Sequence, residues 1–228
     1  MKSIARLIMF FYAILLSGSS MASDDTMVPP RLHAGDAWTY RVAAEDPGAA
    51  PKISTMQFNA LRENDGRMSF SVETGDLEHI IRTPGGREAY PLTSVPVSPC
   101  LLDPIGGAKS QELYQSSPCP YPLKAGMSWK RTNVFIGAAV TSTSSVVGVE
   151  EVSVPAGHFN AFKIEETVIY ADGKQTVKWG APGSVASRCN RWYSDQAKIV
   201  VKEVCDLYFG APNLQHRNTF ELAVYELH

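Results

Sequence analysis

The chain has 228 residues and a formal net charge of −2 at pH 7, with 21 lysines and arginines against 23 aspartates and glutamates. This length suits one large domain or two small ones. The mildly acidic balance contains no basic block, so nucleic acid and anionic membrane surfaces are poor candidates for partners.

The amino end has the pattern of a secretory signal peptide. Lys2 and Arg6 form a basic region, and the apolar run that follows, Leu7 to Leu16, is too short to span a bilayer. Ser20-Met21-Ala22 offers small residues at both positions a signal peptidase reads, so we expect cleavage after Ala22. The absence of a nearby cysteine argues against a lipid anchor, and the polar Ser17 to Ser20 argue against an uncleaved anchor helix.

Cleavage after Ala22 sets the compartment of residues 23–228. It removes two positive charges and leaves 19 basic against 23 acidic residues, a net charge of −4. No second long apolar run follows, so we expect no transmembrane segment in the mature chain. The expected location is the periplasm, where disulfides form.

A repeated motif divides the rest of the chain. Residues 23–30 are polar and end in two prolines, which predicts a flexible start. Leu32 to Trp38 and Leu123 to Trp129 share the pattern Leu-x-Ala-Gly-x-x-Trp at an offset of 91 residues. The glycine suits a turn and the tryptophan can anchor a strand end in the core. A single β-rich domain, 31–228, built from related halves 31–93 and 121–228 fits this pattern, with chance similarity as the alternative.

The chain has four cysteines, all in the part expected to be exported. An even number of cysteines in an oxidising compartment favours disulfides, so we expect two bridges. Residues 189 to 205 read as a hairpin turning at Ser194 to Lys198, which places Cys189 opposite Cys205 at bonding distance. Cys100 and Cys119 then pair by elimination and clip the Pro/Gly-rich loop 94–120. A redox or metal role is the alternative, and the lack of a Cys-x-x-Cys or a cysteine–histidine cluster argues against it.

The stretch Val152 to Ile164 predicts a β-hairpin. Pro155 and Gly157 fit a type I turn closed by a glycine bulge, a common hairpin connection. Beyond the turn, apolar residues alternate with polar ones, as in a half-buried strand: Phe162, Ile164, Val168 and Tyr170. Glu166 breaks the apolar face, either at a rim or as a carboxylate inside a cavity. The carboxyl end shows the same alternation in Phe220, Leu222 and Val224.

These elements predict an all-β fold, an antiparallel meander forming a strongly curved sheet or open barrel. No catalytic, metal-binding or cofactor-binding pattern accompanies it. Adjacent carboxylates such as Glu165 and Glu166 point to opposite faces of a strand, so they do not form an acid–base pair by themselves. None of the histidines has metal-ligand spacing: His33, His79, His158, His216 and His228.

The motifs together resemble exported, β-rich bacterial proteins of unknown function grouped as the TapB-like family. The resemblance runs from Gly126 to Cys205 and rests on Val-Pro-Ala-Gly-x-Phe-x-Ala-x-Lys at Val154 to Lys163, then on Trp192-Tyr193 and Val201-Lys202. It implies a fold and a location, and no catalytic residues to carry over. The loop containing Cys100 and Cys119 departs from that pattern.

Three functions are compatible with such a chain. The leading hypothesis is a periplasmic, non-enzymatic binding or accessory module of the cell envelope, using the sheet's concave face or loop 94–120 to bind an envelope protein or an apolar ligand. The second is a carrier of a lipid or other apolar ligand, which predicts inward apolar side chains around an unfilled cavity. The third is an envelope hydrolase whose catalytic residues come from distant positions.

Overall fold

A computed structural model describes residues 26–64, 67–74, 80–83, 86–89, 120–135, 138–171 and 181–228. The predicted signal peptide, the Cys100–Cys119 pair and loop 94–119 lie outside these ranges. Within them the chain forms strands and no helix, and therefore no helix long and apolar enough to cross a membrane.

Thirteen strands make up the described fold: β1 (Thr26–Met27), β2 (Ala37–Glu45), β3 (Lys52–Asn64), β4 (Arg67–Thr74), β5 (Ile80–Thr83), β6 (Gly86–Ala89), β7 (Leu123–Lys124), β8 (Ser128–Phe135), β9 (Ala138–Val154), β10 (Gly157–Tyr170), β11 (Val185–Ser194), β12 (Ile199–Leu207) and β13 (His216–Glu226). Nine of them form one antiparallel sheet in the order β4-β3-β2-β13-β12-β11-β10-β9-β8. The sheet is thus two meanders, β2–β4 and β8–β13, joined where β13 pairs with β2. The prediction of an all-β antiparallel meander is confirmed.

Two small antiparallel pairs accompany the large sheet, β5 with β6 and β1 with β7. Thr26 and Met27, inside the segment expected to be flexible, instead form β1 by pairing with Lys124 and Leu123. Met27 is fully buried and packs in the core with Leu123.

The repeated motif forms the same turn twice. Gly35 N donates to Ala60 O at 2.8 Å, and Gly126 N donates to Val146 O at 2.8 Å. Both glycines have positive φ, +98° and +82°, a conformation that disfavours residues with a side chain. Trp38 then pairs with Phe58 across the sheet, as Trp129 pairs with Ser144.

The turns match even in their side-chain bonds. In the first copy, His33 N donates to Asp36 Oδ2 at 2.9 Å. At the equivalent positions of the second copy, Lys124 N donates to Met127 Sδ at 3.2 Å. The likeness of the two motifs therefore extends to their backbone geometry, whereas a relationship between the whole halves stays a prediction.

The hairpin of β9 and β10 turns at the residues that its sequence indicates. Val154 pairs with Gly157, so Pro155 and Ala156 form the turn. Gly157 has φ +135°, and open space surrounds the position where a side chain would begin. The backbone conformation, rather than crowding, is therefore what requires glycine here.

Buried residues of β10 belong to two different core clusters. Phe159 and Ala161 belong to the first core cluster, which is built mainly on β2, β3 and β13 around Trp38. Phe162 and Ile164 belong to the second core cluster, with Tyr193, Val200, Met27 and Leu123. The strands β10, β11 and β12 therefore each contribute side chains to the packing of both clusters.

Candidate functional site

Three charged side chains meet inside the sheet. Glu166 on β10, Arg191 on β11 and Glu203 on β12 are 3%, 2% and 0% exposed, and they are called the ion triad below. Arg191 Nη1 lies 2.5 Å from Glu166 Oε2, and Arg191 Nε lies 2.7 Å from Glu203 Oε2. Arg191 and Glu203 are directly paired across β11 and β12, so the sheet register brings them together.

The rim interpretation of Glu166 is wrong. The residue stays on the apolar face that the alternation along β10 predicts, and that face is covered at this point. A buried carboxylate is tolerated here because a guanidinium from the neighbouring strand neutralises it and donates to it. Sequence reasoning missed the partners Arg191 and Glu203, although both stand at inward positions of the β11–β12 hairpin.

The electrostatics of the triad keep Arg191 charged. Burial alone would lower the pKa of Arg191, but the charges of Glu166 and Glu203 and their hydrogen bonds outweigh it and hold that pKa above its ordinary value. Its Nη2 is buried and has no hydrogen-bond partner among the described residues. The groups of the triad face one another rather than solvent, which suits a structural link between three strands better than contact with a substrate.

A disulfide adjoins the triad. Cys189 and Cys205 are bonded, with Cα atoms 4.1 Å apart at directly paired positions of β11 and β12. The hairpin spacing predicts this bridge, and the prediction is confirmed for this pair. Glu203 Oε1 lies 3.3 Å from Cys205 Sγ, so the bridge and the ion triad share one region of the core.

Two phenols and a carboxylate lie near the tip of the same hairpin. Burial raises the pKa values of Tyr193 and Tyr121 well above the ordinary value, and the charge of Asp195 adds to this. Burial also raises the pKa of Asp195, and the nearby Tyr193 hydroxyl opposes that shift. Tyr193 belongs to the second core cluster and Tyr121 packs against it, which suits a structural role for both.

An open recess of about 350 Å³ lies at the opposite end of that hairpin. It is lined by the start of β11 and by the turn after β12, through Ser184, Val185, Arg188, Tyr208, Gly210, Ala211 and Pro212. We call this the Arg188 recess. A mostly apolar lining with a single cation is typical of small-ligand sites. None of these lining residues belongs to loop 94–120, one of the two places where we expect binding from the sequence.

The guanidinium of Arg188 stacks rather than forming an ion pair. Its Cζ lies 5.6 Å from the centre of the Tyr208 ring. Its cross-strand neighbour is Asp206, but both oxygens of that carboxylate accept hydrogen bonds from Arg217, at 2.6 and 2.9 Å. No pattern in the sequence marks Arg188, because its availability depends on which neighbour Asp206 binds.

The four described histidines do not assemble into a site, and His79 lies outside the described residues. His158 is exposed beside the β9–β10 turn and contacts Ser153 Oγ at 2.8 Å. His216 lies between Asp46 and Asn218, and the backbone N of His228 donates to Asp36. Among the residues that the structure describes, no group of three His, Cys, Asp or Glu side chains could hold a metal ion.

Comparisons with known proteins find similarity only among solved structures. No family model matches the chain, and no curated protein matches it. A candidate lipoprotein from Parabacteroides distasonis aligns over 90% of this chain and 100% of its own, with 11% identity and a TM-score of 0.43. A candidate exported protein with a YmcC-like fold from Bacteroides fragilis aligns over 89% and 99%, with 12% identity and a TM-score of 0.40.

A third similar structure is the hypothetical lipoprotein YmcC from Escherichia coli, which covers 80% of this chain and 83% of its own, at 13% identity and a TM-score of 0.35. At these identities and scores, the similarities assign neither a family nor an activity to this chain. The resemblance to the TapB-like family stays an expectation.

Proposed function

We propose that this chain is an exported, non-enzymatic binding module of the cell envelope, and that the Arg188 recess is its binding site. The observation that carries the proposal is the stacked cation of Arg188, which lines an open recess and pairs with no described carboxylate. Export is supported by the signal-peptide pattern of residues 1–22 and by the Cys189–Cys205 bridge, since disulfides persist in oxidising compartments.

The contrast between the two cationic sites supports this choice. Arg191 is 2% exposed and bonded to two carboxylates, so a ligand would have to break buried ion pairs to reach it. Arg188 is exposed and stacks on an aromatic ring at the surface. Binding at the recess therefore costs little rearrangement, which favours the recess over the interior.

The recess can be tested by filling it. Ala211 lines it, so Ala211→Trp should exclude a ligand, while Ala125→Trp, at an exposed position in the turn before β8, serves as the matched control. Each protein would be expressed with its native leader, purified from the periplasm and examined by native mass spectrometry. We expect a co-purifying small molecule on the wild type and on Ala125→Trp, and its loss from Ala211→Trp. Equal occupancy in both variants, or none on the wild type, would refute the proposal.

A carrier of an apolar ligand is the second candidate, and contacts between strands that are not neighbours in the sheet favour it. Ala156 N donates to Leu222 O at 2.9 Å, although β11 and β12 separate the β9–β10 hairpin from β13 in the sheet order. The rings of Phe159 and Tyr225 also approach to 6.0 Å. We infer from these contacts a strongly curved sheet, as an open barrel requires.

The packing of the first core cluster weighs against the carrier. Trp38, Tyr40 and Phe220 are each fully buried among protein side chains. An internal ligand would have to share that space with them. In the same mass spectra, a bound lipid retained by Ala211→Trp would favour the carrier over the recess. The third hypothesis, an envelope hydrolase, is tested by turnover of envelope substrates that a point change abolishes without unfolding the protein.

A further inference from the structure

We infer that the Arg188 recess recognises a carboxylate group attached to a flat, ring-bearing molecule, an inference that rests on the proposed binding function. The recess offers one planar guanidinium and one aromatic ring, stacked at 5.6 Å. A guanidinium presents paired N–H donors that match the two oxygens of a carboxylate. The other lining residues, among them Val185, Ala211 and Pro212, offer apolar contact to the rest of the ligand.

The cation is available because its neighbours are engaged elsewhere. Asp206 faces Arg188 across β11 and β12 but is held by Arg217 through two hydrogen bonds. Ser184 Oγ donates to Ala181 O. The Arg188 guanidinium stacks on the Tyr208 ring and forms no ion pair with a described carboxylate. An incoming carboxylate would therefore pair with the guanidinium without displacing an ion pair between described residues.

The wall of the recess is held in a conformation that the chain rarely adopts. Phe209 and Gly210 both have positive φ, +48° and +78°, and the first of them is not glycine. Three backbone bonds to the start of β11 hold this turn: Tyr208 N and Phe209 N donate to Ala186 O, and Gly210 N donates to Val185 O. Strained backbone that the surroundings enforce is often found at ligand sites.

The disulfide adds rigidity next to the cation. Cys189 directly follows Arg188 on β11, and its partner Cys205 directly precedes Asp206 on β12. The two strands that carry the guanidinium are thus cross-linked one residue away from it. A site whose groups are fixed before binding loses less conformational entropy when the ligand arrives.

Titration with three small molecules tests the inference. Benzoate carries the carboxylate, benzamide is its neutral analogue, and phenyl phosphate carries a different anion on the same ring. The readout is the amide shifts of Gly210 and Ala211 in ¹H–¹⁵N NMR spectra of the mature, disulfide-bonded protein. We expect benzoate to bind with a Kd on the order of millimolar, as suits so small a ligand, and benzamide to bind at least about tenfold more weakly.

Variants of the arginine separate charge from geometry. Arg188→Gln should weaken benzoate binding about tenfold, and Arg188→Lys should restore only part of it, because lysine lacks the planar pair of donors. Arg41→Gln, at a half-exposed arginine of β2, should leave it unchanged. Equal binding of benzoate and benzamide, or binding by phenyl phosphate alone, would overturn the carboxylate inference while leaving the recess as a binding site. If none of the three molecules shifted the amide signals of Gly210 and Ala211, the carboxylate inference would be wrong. The proposed binding function is tested separately, by loss of the co-purifying molecule from Ala211→Trp.

Discussion

Replacing Arg191 with methionine removes the one cation of the ion triad and leaves Glu166 and Glu203 buried together. Methionine fills a similar volume, so the change isolates the charge from the packing. Two carboxylates at 3% and 0% exposure would then face each other without a counterion. Because neither can reach water, each must either stay charged at high cost or take up a proton.

Breaking a buried ion pair by removing one partner costs about 3–5 kcal/mol. For a chain of this size, each kcal/mol lowers Tm by about 2–4 °C, so we expect Arg191→Met to lower Tm by roughly 6–20 °C at pH 7. The loss should also depend on pH. Between pH 5 and 8, a buried carboxyl group in the folded variant keeps a proton, whereas the same group is ionised in the unfolded chain. Unfolding therefore releases protons, and the free energy of unfolding should fall as pH rises from 5 to 8, by up to about 1.4 kcal/mol per pH unit and per proton.

Urea unfolding of the oxidised protein at pH 5, 6, 7 and 8 measures both effects. Arg41→Met is the matched control, because Arg41 also pairs with a glutamate, Glu221, at 3.3 Å but is half exposed. Such a surface pair contributes about 0–1 kcal/mol. A loss below about 1 kcal/mol for Arg191→Met, or the same pH profile as the wild type, would refute the reasoning that the triad is buried and mutually neutralised.

Three further predictions follow from the described contacts. Replacing both Cys189 and Cys205 with alanine should lower the free energy of unfolding by about 3 kcal/mol, the chain-entropy value for a loop of this size. Peptide mapping should find the two cysteines linked in the wild type, and a link from Cys189 to Cys100 would contradict the pairing. For Asp36, burial raises the pKa but bonds from His228 N, His33 N and Lys198 outweigh it and lower the pKa. The wild type should therefore have a higher free energy of unfolding than Asp36→Asn, by an amount that is constant above pH 5 and shrinks as pH falls below 4. A difference in urea unfolding that stays constant down to pH 2.5 would contradict this prediction. Trp38→Ala should lower the free energy of unfolding by about 3–5 kcal/mol in the same assay, because the side chain is fully buried and its Nε1 donates to Ala197 O. Trp129→Ala should cost less, because Trp129 is only partly buried, and equal losses in the two variants would contradict the prediction.

The strands themselves could be predicted from the sequence, because the signals that specify them are local. Alternation along β10 correctly placed Ile164, Val168 and Tyr170 inside. The positive φ of Gly157 follows from the turn that Pro155 begins, and the pairing of Cys189 with Cys205 follows from a hairpin of suitable length. Each of these inferences needs only the period of a strand or the geometry of one turn.

Features that depend on irregular pairing could not be predicted in this way. Val224 continues the alternation of Phe220 and Leu222, yet it is 55% exposed. The register between β13 and β2 shifts between Leu222 and Val224, so the following side chains change face and Tyr225 packs on the core instead. A bulge of this kind leaves no local mark in the sequence.

The candidate site depends on contacts between strands, and for that reason it was missed. Glu166 interrupts the apolar face of β10 in the sequence, but its partner Arg191 lies 25 residues away, and only the register of β10 with β11 brings the two together. Arg188 becomes available because Arg217 binds Asp206. Neither fact can be derived from spacing along one strand, since both depend on competition between side chains of different strands.

Both copies of the repeated motif contact the hairpin of β11 and β12. One copy of the repeated motif holds its tip from one side, where Trp38 Nε1 donates to Ala197 O and Lys198 lies 3.4 Å from Asp36. The other copy contributes to the second core cluster, in which Tyr193 and Val200 of the same hairpin are buried.

A hairpin held at its tip from both sides, bonded through the ion triad in its middle and cross-linked at Cys189–Cys205 has little freedom left. The two motif copies can therefore be understood as two anchors for one element. Arg188 and Tyr208 lie at the end of that element farthest from the anchors, beside the cross-link. This placement gives an open surface recess the rigidity of the core behind it, which is what a binding site formed before its ligand arrives requires.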